Sequence, residues 1–246
     1  MVGALQLHLE AFAKLSQHDR ALVDRLISRN VREIGARRDL VREGEKPRAV
    51  HVVLDGWACR YKQLPDGRRQ VVSFFIPGDL CDANVFILRH MDHSIGAITK
   101  CRYAEILPAE FEDLMAQSPR ITQALWWHEL VTAAVQREWT TNVGQRTAYE
   151  RIAHLFCEMY LKLQAVGLCA DGRCDWPLTQ TDIADATGLT PVHVNRTLQE
   201  LRRAGLIELQ SRSLRILDLD RLKSVSMFNP NYLHLDHEGR HLDAND

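Results

Sequence analysis

The stretch Leu178 to Arg203, LTQTDIADATGLTPVHVNRTLQELRR, decides how the chain is read. Thr179 is suited to cap a helix, and Asp182, three residues on, is the acidic partner of a capping box. Gly188 supplies the left-handed conformation that ends that helix and turns the chain. Thr190 then caps a second helix with Pro191 at its first position, where a missing N–H costs nothing. Ile183, Ala184, Gly188, Val194 and Leu198 fall on the inner face, small where the helices approach and apolar beneath. This is the spacing of a helix-turn-helix. The outer face of the second helix carries Val192, His193, Asn195, Arg196, Gln199 and Arg203, a set able to meet bases and phosphates. An ordinary helical hairpin would also place Arg196 and Arg203 in solvent, but it does not require the caps, the turn glycine and the small positions to agree.

Working outward, Leu206 to Leu209 and Leu214 to Leu217 flank Gln210-Ser211-Arg212-Ser213 and predict a β-hairpin wing with Arg212 at its tip. Asp218 to Val225 reads as a closing helix. The tail from Ser226 carries Asn229-Pro230-Asn231 and further acidic residues, and is expected to pack loosely or not at all. Upstream, Gln145 to Val166 predicts a helix with Ala148, Ile152, Leu155, Phe156 and Tyr160 facing a core. The Gly167 to Asp175 link carries turn residues.

Residues 5 to 28 read as amphipathic helix, with Leu15, Leu22, Val23, Leu26 and Ile27 as its stripe. From about Val31 the pattern turns to short β segments. Ala49 to Leu54, Gly56 to Gln63, Gln70 to Ile76 and Ile95 to Thr99 are separated by Asp55-Gly56, Asp66-Gly67 and Pro77-Gly78, which suggests a small antiparallel barrel or jelly roll. A short helix from Pro108 to about Gln117 is broken at Ser118-Pro119. A long helix follows to about Val143, in which Ile121, Ala124, His128, Val131 and Val135 recur near heptad spacing. That stripe predicts a dimer seam. The competing reading packs it on the chain's own barrel, with Trp126, Trp127 and Trp139 as core.

The expected fold class is therefore α+β: an N-terminal antiparallel β-roll, a long dimerisation helix, and a C-terminal winged helix-turn-helix. The domains are 1–143 (with the dimerisation helix at about 119–143), 144–225, and a tail at 226–246. At 246 residues with a net charge of −1, no bulk positive field advertises nucleic acid, so DNA affinity must come from a local face. The six cysteines, Cys59, Cys81, Cys101, Cys157, Cys169 and Cys174, include no CxxC pair and read as reduced thiols. Cys169 and Cys174 are the closest pair, with His154 the only nearby further ligand, so no metal is expected. The N-terminus lacks a signal-peptide pattern, no run reaches the roughly 20 apolar residues of a membrane span, and a cytoplasmic location is expected.

The order of these parts, with Val53-Leu54-Asp55-Gly56, Phe75-Ile76-Pro77-Gly78-Asp79, Tyr149-Glu150-Arg151-Ile152-Ala153 and the Leu178 to Leu201 motif, resembles the Crp/Fnr superfamily of bacterial transcription regulators. The resemblance implies a cyclic-nucleotide-binding-like β-roll and a homodimer that sets two recognition helices in successive major grooves of a palindrome, roughly 34 Å apart. It implies base reading at Pro191, Val192, Asn195 and Arg196, with Arg196 gripping a guanine edge. Val192 replaces the family's common glutamate and offers apolar contact, for example to a thymine methyl; His193 and Asn195 are alternative donors. Thr179, Thr190 and Arg212 are assigned to phosphates.

For an effector, the family's phosphate-binding segment corresponds to Gly78-Asp79-Leu80-Cys81-Asp82-Ala83 and the later pair to His93-Ser94, with Gln136 and Arg137 on the long helix. A histidine near its reference pKa of about 6.5 and the carboxylates Asp82 and Asp92 disfavour cAMP, leaving an unidentified small molecule. The iron–sulfur branch needs N-terminal cysteines that this sequence lacks. Haem through His93 or His128, or a redox switch at Cys157 or Cys169, has no further sequence support, so no cofactor is expected. RNA polymerase is a further partner for such a regulator. Two other readings compete: a cupin-like metal oxygenase using His51, His90, His93 and Glu105, and an interaction module with an inactive helix-turn-helix.

Overall fold

The computed structural model describes residues 3–83 and 85–235, and the acidic end of the tail, 236–246, lies outside the described residues. The chain divides into two compact units. One comprises residues 1–62, 74–134 and 233–246, the other 63–73 and 135–232.

In the first unit the N-terminal stripe forms two helices, α1 (Ala4–Glu10) and α2 (Gln17–Arg29), where one was expected. The break is local chemistry. Ser16 accepts the Asp19 N–H and Asp19 accepts the Ser16 N–H, a capping box that starts a new helix. Strands β1 (Val31–Ile34), β2 (Asp39–Val41), β3 (Val50–Asp55), β4 (Ala58–Gln63), β5 (Arg69–Phe75), β6 (Leu80–Cys81), β7 (Ser94–Ala97) and β8 (Cys101–Ile106) follow, residues 69–73 of β5 being counted with the second unit. They form two four-stranded sheets, ordered β1-β8-β3-β6 and β2-β7-β4-β5. Val53, Cys81 and Cys101 of one meet Val41, Ala58, Phe75, Ile95 and Ala97 of the other in a shared core, which makes the expected β-roll. Gly56 turns β3 into β4 at φ 81°, and a Cβ there would lie 2.3 Å from the Lys100 carbonyl oxygen, so the turn admits only glycine.

Helix α3 (Pro108–Gln117) ends at Ser118, as the Ser-Pro break predicted, and α4 (Pro119–Gln145) begins. Ile121 and Ala124 of α4 are fully buried in a core with Leu9, Phe12, Val50, Ile106, Phe111 and Leu114, and Val131 packs against it. His128 is buried too, its Nδ1 sharing a hydrogen bond with His8 Nε2 at 2.9 Å. The stripe read as a dimer seam is thus largely taken up by the protomer's own unit. The face α4 leaves in solvent is another one. Trp126 is 71% exposed and Leu130 64%, with Ala133, Arg137, Thr140 and Gly144 continuing the same alternation of four and three residues.

The second unit holds α5 (Ala148–Ala165), capped by Thr147 and Glu150, then β9 (Cys169–Ala170), β10 (Arg173–Asp175), α6 (Gln180–Thr187), α7 (Pro191–Arg203), β11 (Ile207–Gln210), β12 (Ser213–Ile216) and α8 (Leu219–Ser226). The link after α5 is a hairpin closed by a Cys169–Cys174 disulfide, which corrects the expectation that all six thiols are reduced. Its strands extend the wing into a four-stranded sheet, β11-β12-β10-β9.

The tail begins in packed structure instead of hanging loose. Phe228 is buried, and Arg146 donates to the Ser226 and Met227 carbonyls. The Tyr232 hydroxyl donates to Glu158 at 2.7 Å, and Trp139 Nε1 donates to the same carboxylate. Burial raises the Glu158 pKa; the hydrogen bonds from Tyr232 and Trp139 pull the other way. Replacing Tyr232 with phenylalanine removes one of these donors from a fully buried carboxyl. A loss of about 1–3 kcal/mol is expected, read as a lower thermal midpoint; an unchanged midpoint would show that Tyr232 does not anchor the segment.

Candidate nucleic-acid interface and effector site

The recognition elements form as the local sequence dictates. Thr179 accepts the Asp182 N–H and Asp182 accepts the Thr179 N–H and hydroxyl, closing the capping box that starts α6. Gly188 ends α6 at φ 66°. Thr190 caps α7 by accepting the His193 N–H, and Pro191 follows at its first position. Ile183, Ala184, Val194 and Leu198 are buried between the helices, so α7 is held by an apolar inner face. Its outer face is open: Pro191, Val192, His193, Asn195, Arg196, Gln199 and Arg203 are all exposed, Val192 by 79%. Gln199 and Asn195 share a hydrogen bond, while Arg196 and Arg203 have no side-chain partner among the described residues. In the wing, Ser211 and Arg212 take φ of 49° and 61°, the two-residue turn that matches strand twist, and carry the exposed Arg212 to the tip.

Thr179 differs from its expected role. Its hydroxyl proton is donated to Asp182 at 2.7 Å, so the group is committed to the cap; Thr190 accepts only, and its hydroxyl proton is available to a phosphate.

The effector candidates are dispersed. Asp79, Asp82, Ala83, His93 and Ser94 lie in the first unit, Gln136 and Arg137 in the second. Asp79 is buried and accepts the Ile76 N–H, stabilising the Pro77-Gly78 turn, whose Gly78 N–H donates to Val53. Ser94 accepts the Glu43 N–H, and Gln136 donates to the Val72 carbonyl. Asp82 is the centre of an ion cluster: Arg60 Nη2 donates to one oxygen, and His93 Nε2 lies 2.8 Å from the other, with Asp92 2.6 Å from His93 Nδ1. The Arg60 guanidinium also sits 5.2 Å over the Phe75 ring. Burial alone would raise Asp82, but the His93 hydrogen bond and the Arg60 charge outweigh it and hold it below the ordinary carboxylate range. Burial depresses His93, yet the bond to Asp82 and its charge raise it above the usual value. The shift is upward from the reference value used in the sequence reading, and Asp82 is its cause.

Sequence reasoning missed Arg60 and Glu129. Arg60 interrupts the apolar run Trp57 to Tyr61, a signal that a buried partner must exist. Glu129 of α4 is pushed up by burial and then by the Asp82 charge, which puts its carboxyl in the same environment.

The cluster carries a pH prediction. A histidine whose folded pKa is raised stabilises the fold below its unfolded value and loses that contribution as pH rises through the folded value. Denaturant midpoints are therefore expected to fall between about pH 6 and 8 in the wild type and to stay flatter in His93→Gln. Parallel curves would remove the ion pair from the account of stability.

The cupin reading fares poorly in this geometry. His51 is a buried β3 residue, Glu105 pairs with Arg32, His90 bonds the Gly44 carbonyl, and His93 is engaged by two aspartates. Cys169 and Cys174 are joined to each other while His154 bonds Glu138, so the other metal candidates do not converge either. Among the described residues no helix is long and apolar enough to cross a membrane.

A β-roll followed by a winged helix-turn-helix whose second helix turns an exposed polar and basic face to solvent is the arrangement of a DNA-binding protein. A family model described as the Crp-like helix-turn-helix domain matches residues 150–225, and one described as the cyclic nucleotide-binding domain matches residues 31–118. The nitrogen fixation regulation protein FixK of Bradyrhizobium diazoefficiens is 31% identical over 175 residues, 71% of this chain and 72% of that protein. The transcriptional activator protein FnrL of Cereibacter sphaeroides is 30% identical over 199 residues, 78% of each. The structure of FixK2 from Bradyrhizobium japonicum superposes with a TM-score of 0.73 at 23% identity, covering 81% of this chain and 98% of that one. The chain belongs to the Crp/Fnr family, and it is a transcription regulator with a helix-turn-helix DNA-binding domain.

Proposed function

We propose that the protein acts as a homodimer on a palindromic operator, with two copies of α7 in successive major grooves. The observation that carries this reading is the exposed stripe Trp126, Leu130 and Ala133 on α4. Two large apolar side chains in solvent at heptad spacing call for a partner helix, and a second copy supplies the same stripe. Arg196 reads a guanine edge, Val192 a thymine methyl, and His193, Asn195 and Gln199 the neighbouring edges. Thr190, Arg203 and Arg212 hold phosphates.

The sensor unit in this reading does not take cAMP. The residues do not fit a cyclic phosphate: Arg60 and His93 are neutralised by Asp82 and Asp92, the Ser94 oxygen already accepts the Glu43 N–H, and the Gly78 N–H is used by Val53. An anion there would meet the Asp82 and Asp92 carboxylates, and the only buried nitrogen of the Arg60 guanidinium without a hydrogen-bond partner among the described residues is Nε. The protein catalyses no reaction, and its partners are DNA, its own second copy and RNA polymerase, all in the cytoplasm. Relatives described as transcriptional activators support the polymerase contact. Selection of bound duplexes from a random pool by the purified protein tests the reading, run with and without cAMP. A palindrome recovered equally in both arms is expected. A motif that appears only with cAMP would overturn the effector reading, and an unpaired half-site motif would overturn the dimer.

A further inference from the structure

We propose that Cys169 and Cys174 are a reversible dithiol–disulfide pair that sets the DNA affinity of the winged unit; this rests on the DNA-contact role given above to Arg212. The geometry comes from the hairpin itself. Asp171 and Gly172 form its turn with φ of 50° and 72°, which fixes the register Arg173↔Ala170 and Cys174↔Cys169. The two-residue turn therefore brings the two cysteines opposite each other. Their Cα separation of 4.5 Å is that of a directly opposed, non-hydrogen-bonded pair and lies within the span a disulfide bridges. The other four cysteines are buried, as is Cys174, whereas Cys169 is half-exposed. A solvent oxidant or reductant meets Cys169 first.

The exchange closes with a disulfide oxidant such as oxidised glutathione. The Cys169 thiolate attacks one glutathione sulfur, forming a mixed disulfide and expelling the first glutathione thiolate. Cys174 loses its proton and attacks Cys169 Sγ, expelling the second. The protein loses two electrons and two protons, and one glutathione disulfide becomes two glutathione thiols.

The bond bears on the wing through its sheet. β9 is an edge strand of two residues, too short to hold by pairing alone. β10 pairs with wing strand β12, with Cys174 opposite Leu214 and Asp175 opposite Ser213. Immediately after β10, the Trp176 N–H donates to the Arg212 carbonyl at 2.8 Å. Oxidation clamps β9 to β10 and braces the strand that holds the wing tip; reduction frees β9 and loosens Arg212.

The test compares the full chain treated with oxidised glutathione and with excess dithiothreitol. Alkylation and mass spectrometry score the Cys169 and Cys174 thiols, and fluorescence anisotropy measures affinity for the selected operator. The oxidised form is expected to bind about three- to tenfold tighter, the scale of one hydrogen bond at the wing. Cys169→Ser/Cys174→Ser should be indifferent to treatment, and Arg212→Ala should erase the difference between the two states. Thiols that stay free in the oxidant, or a complete disulfide with unchanged affinity, would overturn the switch while leaving the DNA reading standing. Failure of both forms to bind any duplex would overturn the DNA reading and the switch with it.

Discussion

A chain carrying Trp126→Asp and Leu130→Asp is expected to sediment as a folded monomer at micromolar concentrations where the wild type is expected to sediment as the proposed dimer. Full burial of a large apolar side chain contributes about 1.5–3 kcal/mol. Association costs about 4–15 kcal/mol before any contact is counted. Two such side chains from each protomer are thus on the scale of what a stable pair needs, and replacing both with carboxylates sets like charges opposite one another. Both residues are exposed in the protomer, so the substitutions leave its own core untouched. Ile121→Asp gives the opposite phenotype. Its side chain is fully buried among Phe111, Leu114 and Ile106, and a carboxylate there unfolds the unit before any question of pairing arises. The monomer should also lose about 10²-fold or more in operator affinity, because the second half-site contact is no longer intramolecular. A dimer that persists in sedimentation with both aspartates would remove this face of α4 from the interface.

The same helix shows what the sequence could and could not convey. α4 carries two apolar stripes at similar spacing: Ile121, Ala124, His128, Val131 and Val135, and Trp126, Leu130 and Ala133. Periodicity reports that stripes exist; it does not report which one meets the chain's own core, since that depends on α1 and β3, far away in sequence. Local chemistry was more legible. The caps at Thr179 and Thr190 and the turn at Gly188 form through neighbours within a few residues, and each lies where the sequence puts it; α5 starts at Ala148 behind a Thr147 cap, three residues later than the sequence reading had it. The disulfide had a local signal that was passed over. Asp171-Gly172 is a two-residue hairpin turn, and counting outward from it pairs Ala170 with Arg173 and Cys169 with Cys174. The Arg60–Asp82–His93 cluster had only the charge of Arg60 inside an apolar strand, which calls for a partner without naming it. Its members sit on β4, after β6 and before β7, and only the closed roll brings them together.

Arg196→Ala is expected to abolish discrimination between operator and scrambled DNA while leaving the fold and the dimer intact. On α7 the buried positions are Val194, Thr197, Leu198 and Leu201; Arg196 points the other way and bonds nothing among the described residues, so its truncation opens no cavity. A bidentate arginine–guanine contact contributes about 1–3 kcal/mol of discrimination. A palindrome read twice therefore loses about 2–6 kcal/mol if the half-sites add, more than tenfold at the low end. Affinity for scrambled DNA should change far less, because it rests on the phosphate contacts proposed for Thr190, Arg203 and Arg212. Arg212→Ala supplies the contrast: it should weaken operator and scrambled duplexes alike and reduce the salt slope by about one per wing. The two variants separate position from readout in a single titration series across salt. Retained selectivity in Arg196→Ala would assign base reading to Val192, His193 or Asn195 instead, and with it a different consensus in each half of the operator.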